Sequence, residues 1–203
     1  MFKPDKKIFE ERREIFLNKL KGKAAIIPGA NLVKHHADCE YPFRQDSNFW
    51  YLTGFDEPDA IALFLSHKPK GERFIMFVAP KDVMREVWHG FRWGLEGAEK
   101  EFNADKAHSI NELRNLLPAY LNGSDELVFS IGKHPLIEKQ VLEIFSQQLD
   151  NRSRLGIGAN SIKSPEIYLN EMRLIKSQFE IKRMREAIHI SAEAHELVRE
   201  SIS

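Results

Sequence analysis

Cysteine is nearly absent from this chain of 203 residues, where Cys39 stands alone. A single thiol closes no intrachain disulfide and suits a reducing compartment. Long apolar runs are missing as well. The opening Met1-Phe2-Lys3-Pro4-Asp5-Lys6-Lys7 lacks the hydrophobic centre of a signal peptide, and no later stretch approaches a membrane span. The expectation is a soluble, cytoplasmic chain with no membrane partner. Charge of one sign is the third absence. The 30 basic and 30 acidic residues sum to zero, so nothing marks nucleic acid as a partner.

The common chemical motifs are also lacking. No loop ends in Gly-Lys-Ser or Gly-Lys-Thr, which excludes the usual phosphate cradle. Gly156-Ile157-Gly158 has Ser161 where a dinucleotide fingerprint needs its third glycine, so it reads as a loop. His189, Glu193 and His195 miss the i, i+4 histidine spacing of a zincin helix. His35-His36-Ala37-Asp38-Cys39 gathers ligand types in five positions, but neighbours on an extended strand point to opposite faces. A structural or surface role is expected there. Cys39 sits in no nucleophile motif, and a lone cysteine usually packs as a small hydrophobe.

What is present is a core and an arm. The length allows one sizeable domain plus an appendage, or two small domains, and the 42% hydrophobic content is enough for a packed core; one domain with an arm is the expectation. From Lys7 to Lys21, Ile8, Ile15, Phe16 and Leu20 fall on one side of an amphipathic helix that Gly22 would end. Ala24-Ala25-Ile26-Ile27, closed by Pro28-Gly29, reads as a buried strand. Residues 60–65 and 74–78 flank a turn with Pro69, Lys70 and Gly71, as in an antiparallel hairpin. Ser109 and Glu112 form a capping box ahead of a leucine-bearing helix that Pro118 is placed to interrupt and Gly123 to close. Residues 126–131 read as a strand, and Pro135 opens a helix carrying Ile137, Val141, Leu142, Ile144, Phe145 and Leu149. Strands alternating with helices, plus a hairpin, predict an α/β fold with a mixed β-sheet flanked by helices.

The last segment differs. Ser177 and Glu180 form another capping box, and no Pro or Gly follows as far as Ser203. A helix of about 40 Å is expected at 1.5 Å per residue. Its stripe of Ile181, Met184, Ile188, Val198 and Ile202 needs a cover, from another chain or from a larger protein of which this is a piece.

The densest wording lies between Asp38 and Phe55. Asp46 or Ser47 can accept hydrogen bonds from the open amides of a short helix carrying Phe49, Trp50 and Leu52, and Gly54 supplies the stop. Three consecutive aromatics on so short a turn cannot share one core, so one or two must meet a second element or a partner chain. The blocks are Ala37-Asp38-Cys39-Glu40-Tyr41-Pro42-Phe43-Arg44-Gln45, then Phe49-Trp50-Tyr51-Leu52-Thr53-Gly54-Phe55, then Glu57-Pro58-Asp59-Ala60. With Trp88-His89-Gly90-Phe91-Arg92-Trp93-Gly94, which fits W-x-G-x-R-x-G, and the block from Glu171 to Ile181, they resemble the amino-terminal domain of aminopeptidase P. Those enzymes are the Xaa-Pro aminopeptidases.

The resemblance implies residues 1–172 as the non-catalytic amino-terminal domain and 173–203 as the first helix of a truncated, metal-binding pita-bread domain. It implies peptides with proline in second position as substrates, two manganese ions held entirely by that absent domain, and a homodimer or homotetramer. Trp88 corresponds to a tryptophan that reaches a neighbouring subunit's active-site mouth. A peptide bond before proline has no N–H to read, so selection falls on the flat ring, which an indole face matches. The bland alternative for Trp88 is burial under the Arg92 loop. Asp38 and Arg44 match acidic and basic positions of the family's first block, where the expectation is that they shape the substrate entrance or an interface, or else form a partly buried ion pair that orders the loop. The rival function is a peptide- or protein-binding module of the same plan, as in a histone chaperone, with prolidase and creatinase as nearer enzyme alternatives.

Overall fold

The computed structural model describes residues 5–202, apart from the side chains of Val83, Arg85 and His89. Contacts divide the chain into two compact units, one ending at Glu166 and one beginning at Ile167.

The first unit opens with helix α1 (Lys6–Leu20), whose first turn is capped by the Asp5 carboxylate accepting from Lys7 N. Its inward face differs from the one expected. Phe9, Arg12, Arg13, Phe16, Leu17 and Leu20 are buried, while Ile15 is half exposed. Two arginines displace isoleucine because their guanidiniums find carbonyl partners inside, which an alkyl side chain cannot use. Lys21, with φ of 45°, takes the left-handed cap one residue before Gly22.

Strand β1 (Ala24–Pro28) follows, then a small hairpin of β2 (Lys34–His36) and β3 (Cys39–Glu40), then helix α2 (Ser47–Thr53). Strands β4 (Ile61–Leu65) and β5 (Phe74–Val78) form the expected hairpin. Helices α3 (Val83–His89) and α4 (Gly94–Phe102) lead to β6 (Lys106–Ser109). A 3-10 turn closed by the Ser109–Glu112 capping box starts helix α5 (Leu113–Leu121). Pro118 does not interrupt α5. A proline cannot donate to the carbonyl four residues back, and Gln140 Nε2 donates to that Arg114 carbonyl at 3.0 Å instead. Next come β7 (Leu127–Val128), α6 (Pro135–Leu155) and β8 (Ile162–Lys163). The strand expected over 126–131 is only two residues long, although Phe129 N still donates to Lys163 O.

Six strands form one sheet in the order β6-β5-β4-β1-β7-β8. The β1/β4 and β4/β5 pairs are antiparallel, and β5/β6, β1/β7 and β7/β8 are parallel, so the sheet is mixed as predicted. All residues of β1, β4 and β5 are buried, which requires cover on both faces. On one face Ile26, Leu63 and Ile75 pack with Leu117, Leu121, Val141 and Ile144 of α5 and α6. On the other, Phe64 meets Phe16 of α1 edge to face at 5.3 Å and stacks on Phe74 at 5.2 Å. Each fully enclosed side chain of this size contributes about 1.5–3 kcal/mol.

The second unit holds α7 (Glu166–Leu174) from its second residue, and the long helix α8 (Gln178–Ile202). Ser177 and Glu180 form its capping box, with Ser177 N donating to Oε2 at 2.8 Å and Glu180 N to Ser177 Oγ at 3.3 Å. No residue of α8 is buried, and Met184, Ile188, Leu197, Val198 and Ile202 are exposed.

Candidate functional site

The stretch around α2 folds as its local chemistry dictates. Asp46 is the N-cap, its Oδ1 accepting from Asn48 N and Phe49 N at 2.9 Å each. Gly54, with φ of 68°, closes the helix by donating to Trp50 O. The three aromatics part company. Phe49 enters the core, Trp50 meets Phe9 of α1 edge to face at 5.5 Å, and Tyr51 lies under the Arg12 guanidinium at 4.0 Å.

Gln45 ties this stretch to the sheet and to the next block. Its Oε1 accepts from Ala30 N at 2.6 Å and Asp46 N at 2.8 Å, and its Nε2 donates to Glu57 O at 2.8 Å. Gly29 makes room for it, since a Cβ there would stand 2.9 Å from Gln45 Oε1. Glu57 then reaches the W-x-G-x-R-x-G loop, where its Oε1 accepts from Trp93 N at 2.7 Å. Glu86 Oε1 accepts from the preceding amide, Arg92 N, at 3.2 Å. Two carboxylates therefore hold consecutive amides of one loop. Glu57 is buried, and its Oε2 has no hydrogen-bond partner among the described residues. Burial raises its pKa against the opposing pull of the Trp93 amide and the Arg92 charge. Burial likewise raises Asp59, opposed by Arg92.

Beneath the loop lies a cavity of about 430 Å³ walled by Phe9, Trp50, Phe91, Trp93 and Phe102, with Glu57 at its lining. Phe91, Trp93 and Phe102 run edge to face at 5.0 and 5.5 Å. The tryptophan packed under the loop is thus Trp93. Trp88 is instead 84% exposed on α3, next to exposed Met84 and Val87.

Asp38 sits at the tip of the β2–β3 hairpin, exposed, just after Ala37 with φ of 42°. Arg44 is exposed too, and among the described residues no ion pair joins it to Asp38. Neither is brought against the aromatic cavity. The linking roles of Gln45 and Glu57 escaped the sequence reading, because both act on backbone groups far away in the chain.

Residues 9–129 match the family described as aminopeptidase P, N-terminal domain. The chain belongs to that family. It is 38% identical over 199 residues to the Xaa-Pro aminopeptidase of Haemophilus influenzae, covering 96% of this chain and 43% of the relative. To the Xaa-Pro aminopeptidase of Escherichia coli it is 33% identical over 189 residues, covering 92% and 43%. The structure of a Pseudomonas aeruginosa aminopeptidase superposes with a TM-score of 0.87 at 30% identity, covering 96% of this chain and 44% of that one. The chain therefore spans less than half the length of these relatives. Within this aminopeptidase P domain, no group of three or more His, Cys, Asp or Glu among the described residues could hold a metal ion, the His35–Cys39 run included. These residues do not fit a dinuclear centre, and no chemical step is assigned to them. No described helix is long and apolar enough to cross a membrane.

Proposed function

We propose that this chain is the non-catalytic amino-terminal part of an Xaa-Pro aminopeptidase, and that the complete protein releases the residue ahead of proline. The names of the relatives support the peptidase class. One E. coli aminopeptidase P structure is described as zinc-substituted and in complex with product, which supports a metal-dependent parent. We assign the metals, a manganese pair by resemblance, to a further domain whose first helix lies within residues 173–203. The exposed apolar stripe of α8 suits a helix that such a domain would cover.

The observation that carries the reading is the exposure of Trp88. Trp88, 84% open to solvent, stands with exposed Met84 and Val87 in an apolar patch of the kind that marks an interaction site, directly before a loop pinned at two amides. Trp88 offers a flat apolar face to a proline ring, reaching the active-site mouth of a neighbouring subunit in a cytoplasmic homodimer or homotetramer. Asp38 and Arg44 shape the entrance.

The test is Trp88→Ala in the complete protein, with kinetics on an Xaa-Pro peptide and mass by light scattering. The KM should rise or the assembly should loosen, and an unchanged KM with unchanged mass would remove Trp88 from the site. The isolated 203-residue chain with added manganese should turn over no peptide. Turnover at the rate of the complete protein would overturn the division of labour.

A further inference from the structure

The loop after α3 has two glycine hinges. Gly90 and Gly94 have φ of 79° and 63°, and Gly90 N caps α3 by donating to Glu86 O at 2.9 Å. Between the hinges, carboxylates hold the Arg92 and Trp93 amides, beside the ring packing of Trp93 on Phe102. They are fixed unequally. Glu86 belongs to α3 itself and moves with it, whereas Glu57 belongs to the body of the domain. Glu57 is only 6% exposed, and Gln45 holds its carbonyl at 2.8 Å while also holding Ala30 beyond the end of β1. A rigid path thus runs from the sheet through Gln45 and Glu57 to Trp93 N, five residues after Trp88. It uses only the backbone of Trp93.

We propose that Glu57 is the positioning residue for Trp88: its carboxylate fixes the end of the α3 loop and so fixes where the exposed indole stands. A carboxylate suits this task better than a neutral acceptor, since a charge-assisted bond to an amide is shorter and stronger. Among the described residues this one amide is the hydrogen-bond partner of the buried carboxylate, whose Oε2 has none, and no ion pair holds it. The link to substrate rests on the reading of Trp88 given above, but the positioning itself does not.

The two are tested separately. Trp50, Trp88 and Trp93 are the three tryptophans of the chain, so replacing Trp50 and Trp93 with Phe leaves Trp88 as the sole reporter and keeps the Trp93 amide in place. Time-resolved fluorescence anisotropy then reads the local freedom of the indole. Glu57→Ala should increase the fast-decaying amplitude about twofold, and Glu57→Gln, which retains an oxygen acceptor, should restore most of the original decay. Glu57→Asp, whose shorter arm cannot reach the amide, serves as the milder variant if Glu57→Ala fails to fold, and it should behave like Ala. Unchanged anisotropy in a folded Ala or Asp variant overturns the proposal, whatever happens to thermal stability. In the complete protein, Glu57→Ala should raise the KM for an Xaa-Pro peptide about fivefold with kcat altered less than twofold, and Gln should rescue it. A complete protein that cleaves no Xaa-Pro peptide would sink the peptidase reading alone, and the anisotropy would still decide the role of Glu57.

Discussion

The Nη1 of Arg13 donates to the carbonyl oxygen of Leu52 at 3.1 Å, with its guanidinium 4.4 Å from the ring centroid of Phe74. Arg12 does the same for Tyr51, donating to its carbonyl at 3.2 Å. Both carbonyls belong to the last turn of α2, where the helix supplies no donors of its own. Gly54 N satisfies the Trp50 carbonyl, and Thr53 Oγ1 satisfies that of Phe49. Two cations also meet the negative end of the helix dipole. Burial lowers the pKa of Arg13 to about 10, opposed by Glu10, Asp105 and Glu14, so the group stays charged at neutral pH.

From this follows a first prediction. Arg13→Met fills the apolar volume but leaves the Leu52 carbonyl without its donor, and should cost about 1–3 kcal/mol in urea unfolding. Arg13→Lys should recover less than half, because an ammonium lacks the planar face that lies over Phe74 and the fork that reaches past it. A Met variant as stable as the parent would refute the capping role.

The same arginines mark where sequence reading succeeds and where it stops. The cap at Asp46, the stop at Gly54, the β4–β5 hairpin and the Ser177 box were legible, since each depends on a few neighbouring residues of fixed conformational preference. The face of α1 was not. Arginine counts as polar in any periodicity, yet here it is buried because its partners arrive from 39 residues away. Strand β6 escaped notice because Lys106, His108 and Ser109 form no apolar run, its place being set by pairing with β5. At the site, the motifs announced which residues cluster. They could not announce that Glu57 joins two of the motifs through a carbonyl and an amide that carry no sequence signature.

A second prediction concerns Glu126, which links three segments of the sheet's parallel half. Lys23 lies 3.0 Å from Oε1, Lys163 2.9 Å from Oε2, and Ser161 Oγ donates to Oε2 at 2.7 Å. Burial alone would raise its pKa, but the bonds from Lys163, Ser161 and Lys23 outweigh it and hold the carboxyl below the usual 4.5. An acid lowered in this way stabilises the fold above its unfolded value and loses that contribution as pH falls through the folded one. Glu126→Gln should therefore cost about 1–2 kcal/mol at pH 7, discounted for the partial exposure of both lysines, and the difference should shrink below pH 4.5. Paired urea melts at pH 7 and pH 4 check this, and a gap that stays constant would mean the ion pairs contribute nothing.

The last prediction separates backbone strain from a steric clash at the cavity wall. Gly54 and Gly71 both occupy the left-handed region, with φ of 68° and 87°. Alanine at either position bears the same conformational penalty, about 1–2 kcal/mol. Only Gly54 has a neighbour. A Cβ there would stand 2.6 Å from Cε2 and Cζ of Phe9, whereas nothing lies within 4 Å of one at Gly71. Gly54→Ala must therefore also push the Phe9 ring, adding about 1–3 kcal/mol of overpacking. Phe9 is held edge to face by Trp50 and forms part of the cavity wall, so the displaced ring should be visible as a shift in Trp50 fluorescence that Gly71→Ala does not produce. Equal destabilisation and equal spectra for the two variants would show that Phe9 yields freely, in which case the aromatic wall is not the rigid surface that its edge-to-face packing implies.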